Sequence, residues 1–580
     1  MAGFTGVFGE EITHADSIKR AAACTVYAPH TQINTLHSDT NLVVHKSYVD
    51  FLETKDTGAS IDGVTAWVDG EIYNTHEFAS NGSFVEVLLS HYAAKSLDQF
   101  LQKLDGIFII LIYDTREKRL SLISDRYGLR PFYLSTKGGR LTFAPEVKCF
   151  GVIESFEVSV RKDVVDCFIE LEHFLGDVTW LDGVDLIKPA SIYTYALTEG
   201  KLRMHHYWSW SSMKPLAVSF DDAAQQIGLL LDQANKKRFF GAYPVGVGLS
   251  GGLDSRAILA AVHLNHPVTY TFGLPDSQDV LVAKQVAERA GVKHVYFDIR
   301  AEDWLADRFA GVWKTDGMLN MYHMHYSHLM DRIRQLMAVN LSGFLGDVVL
   351  GGSYMNKKGK LFANKRPDQS TAYFYYGRYA EFCDPADSFF DIEKVDPYVM
   401  YNRGRRMIGM GAEEANKTIP QRLPFMDVNL MDFAYSIPDD FRVNSKVYDK
   451  ALLIRYPDFY RTLPNASTGV PIHDHPSVLL NVKEKYYKVK EMIRYKMGMA
   501  TSYTDVNNWI KEPAAAKRIG QLLDVDQAIY PNFTSRNFKQ EFLEPHLQGK
   551  GNYRKQIMGA LTFEIWLQQL LNKKFIPAIH

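Results

Sequence analysis

Six residues, Ser250-Gly251-Gly252-Leu253-Asp254-Ser255, stand between an apolar run ending at Leu249 and the segment RAILAAVHLN. Glycines at such a turn let the main chain approach an anion, and the helix that follows offers free N–H groups and its positive dipole end. Ser250 and Ser255 add hydroxyl donors. Asp254 repels a phosphate, so its natural task is to hold a divalent cation that attracts one. The lysine of a GxxxxGK[ST] loop is absent, which excludes a kinase-type phosphate loop. The alternative is a turn that merely caps a helix. Strand, loop composition and helix agree on phosphate binding.

The surrounding elements fit a parallel α/β sheet. Val245–Leu249 reads as a buried strand, VTYTFGL (268–274) as the next, VLVAKQVAERAG (280–291) as a helix and KHVYFDI as a third strand. From Asp221 to the end the chain is mostly helical. Residues 1 to about 205 look different, with short β-type runs and turns. GVTAWVDGEIYN (63–74) and DGIFIILIYDTREKRLSLISD (105–125) read as strands, FVEVLLSHYAAKSLDQFLQKL (84–104) carries helix-period apolar positions, and Cys24 in AAACTVYA reads as part of a buried strand. The expected domains are 1–208 and 209–580.

Bulk properties narrow the function classes. A chain of 580 residues needs two or more cores. Lys plus Arg (65) nearly balances Asp plus Glu (67), so there is no general reason to bind nucleic acid or a membrane, although a local basic patch stays open. Cys24, Cys149, Cys167 and Cys383 form no CxxC pair, arguing against zinc ribbons and a disulfide framework. Neither a signal peptide nor a run of ~18 apolar residues is visible, so the expected compartment is the cytoplasm.

Taken together, the motifs are similar to those of the asparagine synthetase family over nearly the whole chain. SGGLDS after GVGL resembles the pyrophosphate loop of N-type ATP pyrophosphatases. MAGFTGVF resembles Met-Cys-Gly-Ile-x-Gly, DGEIYN (69–74) resembles NGEIYN, SDRYGLRPFY (124–133) resembles RDRFGxRPLY, and FAPEVK (143–148) resembles FASExK. Further on, SGFLGDVVLGG (342–352) resembles SGEGADELFGG and LPFMD (423–427) resembles VPFLD. The resemblance implies an N-terminal glutaminase-like αββα sandwich, followed by a parallel-sheet ATP-pyrophosphatase domain with a helical C-terminal region. It implies ATP and Mg²⁺ as cofactors. Leu249, Ser250, Gly251, Gly252, Leu253, Asp254, Ser255, Phe272 and Gly343 would contact the nucleotide. Asp254 and Asp347 would bind the metal, and Lys450, in VYDKALLIR, would offset charge at the adenylation centre alongside Asp347.

The chain departs from the family at the nitrogen source. The family's N-terminal nucleophile is cysteine, whereas residue 2 is Ala2, and a methyl group cannot attack an amide. Phe84 stands where the family carries an aspartate for the glutamine ammonium group, and no RLSI-like arginine segment lies between 35 and 65. In the second domain, Phe344 replaces an acid and Val348 another. Arg256, Arg405 and Arg406 either meet an anionic substrate or are solvated helix charges. The leading expectation is an AMP-forming ligase joining a carboxylate to an amine without glutamine, as in β-lactam synthetases and lasso-peptide cyclases. An asparagine synthetase using ammonia or glutamine, and a non-catalytic ATP-binding scaffold, are the alternatives. Expected partners are small-molecule or peptide substrates, with no nucleic acid and no membrane. A precursor peptide and a second copy of the chain stay open.

Overall fold

The computed structural model describes residues 3–52, 58–79, 82–299, 304–357, 360–361, 366–473, 478–496 and 503–577. Ala2 lies outside them, as does part of the 35–65 stretch. The N-terminal part holds two six-stranded antiparallel sheets. One is centred on Phe4–Phe8 and Leu42–Val49, the other on Val64–Ile72 and Gly106–Asp114. Their inward side chains, among them Phe8, Val44, Trp67, Leu111 and Phe143, make one apolar layer. Period-two alternation supplies that layer. The helix Ala15–Ala23 packs on the first sheet and Phe84–Ala93 on the second, which completes an αββα sandwich.

One local expectation is corrected. The apolar run around Cys24 is not a strand: Ala21 and Ala22 are buried on one face of the helix Ala15–Ala23, and Cys24 caps its end half-exposed. The helix-period segment 84–104 forms two helices, Phe84–Ala93 and Leu97–Leu101, separated where Lys95 turns to a φ of 56°.

Beyond the last sandwich strand, Lys201–His206, the chain passes Trp208 and Trp210, both buried, and enters helix α1 (Phe220–Arg238). Ser219 caps α1 by accepting from the Asp222 N–H. Strands β1 (Val245–Gly248), β2 (Val268–Gly273), β3 (His294–Asp298), β4 (Val339–Leu341) and β5 (Gln421–Arg422) then form a wholly parallel sheet in the order β3-β2-β1-β4-β5. Helices α2 (Asp254–Val262) and α3 (Gln278–Ala290) provide the first crossovers. The order reverses between β1 and β4, and open α/β sheets bind ligands at such switch points. The loop 250–255 leaves β1 at that place.

The preserved N-terminal motifs tie the two parts together. Glu71 of DGEIYN accepts three charge-assisted bonds from Arg422 on β5, the closest at 2.6 Å. Glu146 of FAPEVK is buried between Lys148 and Lys417, and Lys148 pairs with Asp316 at 3.0 Å. Asp427 of LPFMD pairs with Lys237 and Arg238 while capping the helix Val428–Ser436.

Candidate active site

The loop after β1 is folded on itself. The Ser250 N–H donates to the Ser255 hydroxyl at 3.0 Å, the two hydroxyls are 3.1 Å apart, and the Gly252 N–H donates to the Ser250 hydroxyl at 3.2 Å. The Gly251 N–H donates to the Asp279 carboxylate at 3.3 Å. A β-carbon at residue 251 would lie 2.4 Å from Cβ of Ala466, so only glycine fits between the loop and that segment. Ser250 is exposed.

The SGFLGD turn after β4 approaches from the other side. A β-carbon on Gly343 would sit 3.0 Å from the Ser255 nitrogen, and one on Gly346 would sit 2.5 Å from Cγ of Asp254. Between them Leu345 takes the left-handed conformation, with a φ of 59°, the kind of backbone cost that collects at functional sites. This turn sets the Asp347 N–H 3.1 Å from the Asp254 carboxylate. Helix α4 (Lys446–Arg455) closes a third side, where the buried Tyr448 hydroxyl donates to Asp254 at 2.9 Å.

Burial and the neighbouring Asp347 carboxylate push Asp254 up to about 7, against the lowering effect of the Tyr448 bond. Two carboxylates thus face a common space with too few cations to balance them, a donor set that fits a divalent metal such as Mg²⁺. Among the described residues no group of three or more His, Cys, Asp or Glu forms a metal cluster, so remaining ligands would come from phosphate oxygens and water.

The structure brings Ser250, Gly251, Gly252, Leu253, Asp254, Ser255, Gly343 and Asp347 into one place. Leu249 is buried beneath the loop. Phe272 stands at the end of β2 with its ring stacked on Tyr326 at 4.7 Å. Lys450 is half-buried on α4, the helix that carries Tyr448. Tyr448 and Asp279 were not foreseen. Tyr448 sits in a core-facing pattern with Val447, Ala451 and Leu452, so only its hydroxyl distinguishes it from packing.

Arg256, Arg405 and Arg406 are all buried, so none is a solvated helix charge. Arg256 is buried and donates to the carbonyls of Phe459, Leu463, Pro464 and Gly251, which fixes the loop to the segment following α4. Arg405 donates to the carbonyls of Gly128 and Ile187, and Arg406 to that of Val178, so both clamp the sandwich to the second unit. Phe344 is buried and lines a small, mostly apolar cavity at that junction with Tyr127, Leu129, Trp210, Tyr401 and Arg405.

At the N-terminus, a β-carbon on Gly3 would stand 3.6 Å from the Asp69 carboxylate. Asp69 is buried, bonded by Arg130 and 3.9 Å from Lys46. Phe84 packs against Phe100.

A glutamine amidotransferase domain family model matches residues 62–208, and an asparagine synthase family model matches 226–388. Neither range includes residue 2 or Lys450. "Asparagine synthetase [glutamine-hydrolyzing] 1" of Bacillus subtilis (strain 168) is 21% identical, covering 100% of this chain and 98% of that one. The glutamine-hydrolyzing asparagine synthetase of Mus musculus is 24% identical over 73% of each chain. A solved glutamine phosphoribosylpyrophosphate amidotransferase from B. subtilis aligns with a TM-score of 0.25 and 12% identity, over 51% of this chain and 65% of that chain. That likeness is too slight to bear on the fold.

Proposed function

The chain belongs to the asparagine synthetase family, a family of AMP-forming carbon–nitrogen ligases, and on that premise we propose that it adenylates a carboxylate and couples it to an amine other than glutamine-derived ammonia. The pairing of Asp254 and Asp347 across the turn after β1 carries the first half of this reading. ATP supplies the activated phosphate, and Mg²⁺ held by Asp254 and Asp347 would offset its charge. Ser250, Ser255 and the loop N–H groups orient the pyrophosphate portion by exchanging their internal bonds for bonds to it. Leu249, Phe272 and Gly343 border the nucleotide, and Lys450 offsets charge where the carboxylate attacks. Phe344 offers no proton acceptor where the family motif has an acid, which suits a less polar amine than ammonia.

Asp69 supports the second half. Amide hydrolysis builds negative charge on the substrate oxygen, which needs hydrogen-bond donors aimed at it. Asp69 stands beside Gly3 where the family motif has an asparagine, and a carboxylate repels such charge. Arg130 and Lys46 are turned toward Asp69. Together with Ala2 and Phe84, this makes residues 1–208 a scaffold for residues 209–580, through Glu71–Arg422 and the Glu146 cluster. The relatives' activity, glutamine-hydrolyzing asparagine synthesis, is the second reading. Product analysis tests the chemistry: with substrate, ATP and Mg²⁺ the enzyme releases AMP and pyrophosphate, and release of ADP and orthophosphate contradicts it.

A further inference from the structure

Helix α5 (Val478–Lys496) breaks the rule that amphipathic helices turn their apolar face inward. At about 100° per residue, Val482, Tyr486, Val489 and Ile493 fall within an arc of about 60°. All four are exposed, Tyr486 at 70% and Val482 at 58%, and Met492 extends the stripe. Among the described side chains of α5, those partly covered are Glu484, Tyr487, Glu491 and Arg494. Exposed lysines flank the stripe, Lys483 and Lys490 on one side and Lys485 on the other. Between Lys483 and Arg494 five basic residues stand against two acidic ones, whereas the whole chain carries a net −2.

We propose that α5 docks the enzyme on an anionic phospholipid surface. An outward apolar stripe bordered on both sides by lysines fits a plane in which the stripe enters the acyl boundary and the ammonium groups stay at the headgroups. The ridge is convex, whereas peptide recognition uses grooves or strand edges, so a bilayer accommodates it better than a bound peptide does. No helix among the described residues is long and apolar enough to cross a membrane, so attachment is peripheral. The Tyr487 hydroxyl donates to the Ala466 carbonyl at 2.7 Å, and the Ala466 N–H donates to that of Gly251 at 3.1 Å. Docking through α5 would therefore anchor the segment that packs on the phosphate loop. This amends the expectation, drawn from overall charge, of no membrane partner.

Vesicle sedimentation of the full chain tests this. Wild type pellets with phosphatidylcholine vesicles containing about one-third phosphatidylserine, stays in solution with phosphatidylcholine alone, and is released as salt rises to about 0.5 M. Val489→Glu/Ile493→Glu and Lys483→Glu/Lys490→Glu each weaken binding about tenfold or more, while the ATP-induced rise in melting temperature is kept. Wild type remaining in the supernatant with anionic vesicles overturns the proposal. So does binding that survives Val489→Glu/Ile493→Glu, or capture of α5 by an acidic protein without vesicle binding.

Discussion

The main-chain N–H of Asp347 donates to the carboxylate of Asp254 at 3.1 Å, joining the loop after β1 to the turn after β4 across the switch point of the sheet. Burial and the neighbouring Asp347 carboxylate push Asp254 up to about 7. Asp254→Asn or Asp347→Asn is expected to lower pyrophosphate release about 10²–10³-fold. Asp254→Asn removes a strained charge, so its melting temperature should not fall. Near-normal turnover in both variants contradicts the assignment.

Tyr448 lends Asp254 its hydroxyl and helps keep it ionised. Tyr448→Phe removes one bond to a charged group, worth about 1.5–3 kcal/mol. The expected result is a rate lowered about tenfold or more, with the acid limb of the pH–rate profile moved upward as Asp254 becomes harder to ionise. An unmoved acid limb would separate Tyr448 from Asp254.

Arg256 serves as a main-chain clamp. Arg256→Lys keeps the charge but cannot reach four carbonyls, so unfolding should come earlier by about 2 kcal/mol or more in denaturant titration. If stability is unchanged and only the KM for substrate rises, Arg256 meets the substrate instead.

The Glu146 cluster sets an acid limit. Burial alone would raise this carboxyl, but Lys148 and Lys417 outweigh burial and hold it at about 2. Its folded value lies below its unfolded one, so its contribution is complete above about 4.5 and is lost as pH falls from there toward 2. Asp316, raised by burial despite Lys148, works in the opposite direction. The net effect is therefore smaller than the ~3 kcal/mol Glu146 would give alone. Glu146→Ala leaves buried lysines short of a partner and should cost about 3–5 kcal/mol at neutral pH, with a flatter acid unfolding curve. An acid curve identical to wild type would remove the cluster from this role.

Much of the second unit was legible because its signals are local. A glycine turn between a strand and a helix forces the 250–255 loop, and GxxxGDxxxGG brackets Asp347. What escaped the sequence depends on distant contacts. Arg256, Arg405 and Arg406 look like helix-surface charges until the carbonyls of segments far along the chain are folded against them. Cys24 looked like a strand because small apolar residues satisfy either period. The outward stripe of α5 carries an ordinary amphipathic pattern, and only packing reveals which side faces solvent.

Glutamate release from glutamine tests the account's central claim, a ligase that runs without glutamine, most directly. Wild type, Ala2→Cys, and Ala2→Cys combined with Phe84→Asp and Asp69→Asn would be compared, each with ATP and Mg²⁺ present. Wild type and Ala2→Cys are expected to release no glutamate above background, because the Asp69 carboxylate would repel a developing oxyanion and Phe84 cannot hold the glutamine ammonium group even when a thiol is restored. Brisk glutamate release by Ala2→Cys alone would contradict the account and make the chain a glutamine-dependent synthetase lacking only its nucleophile.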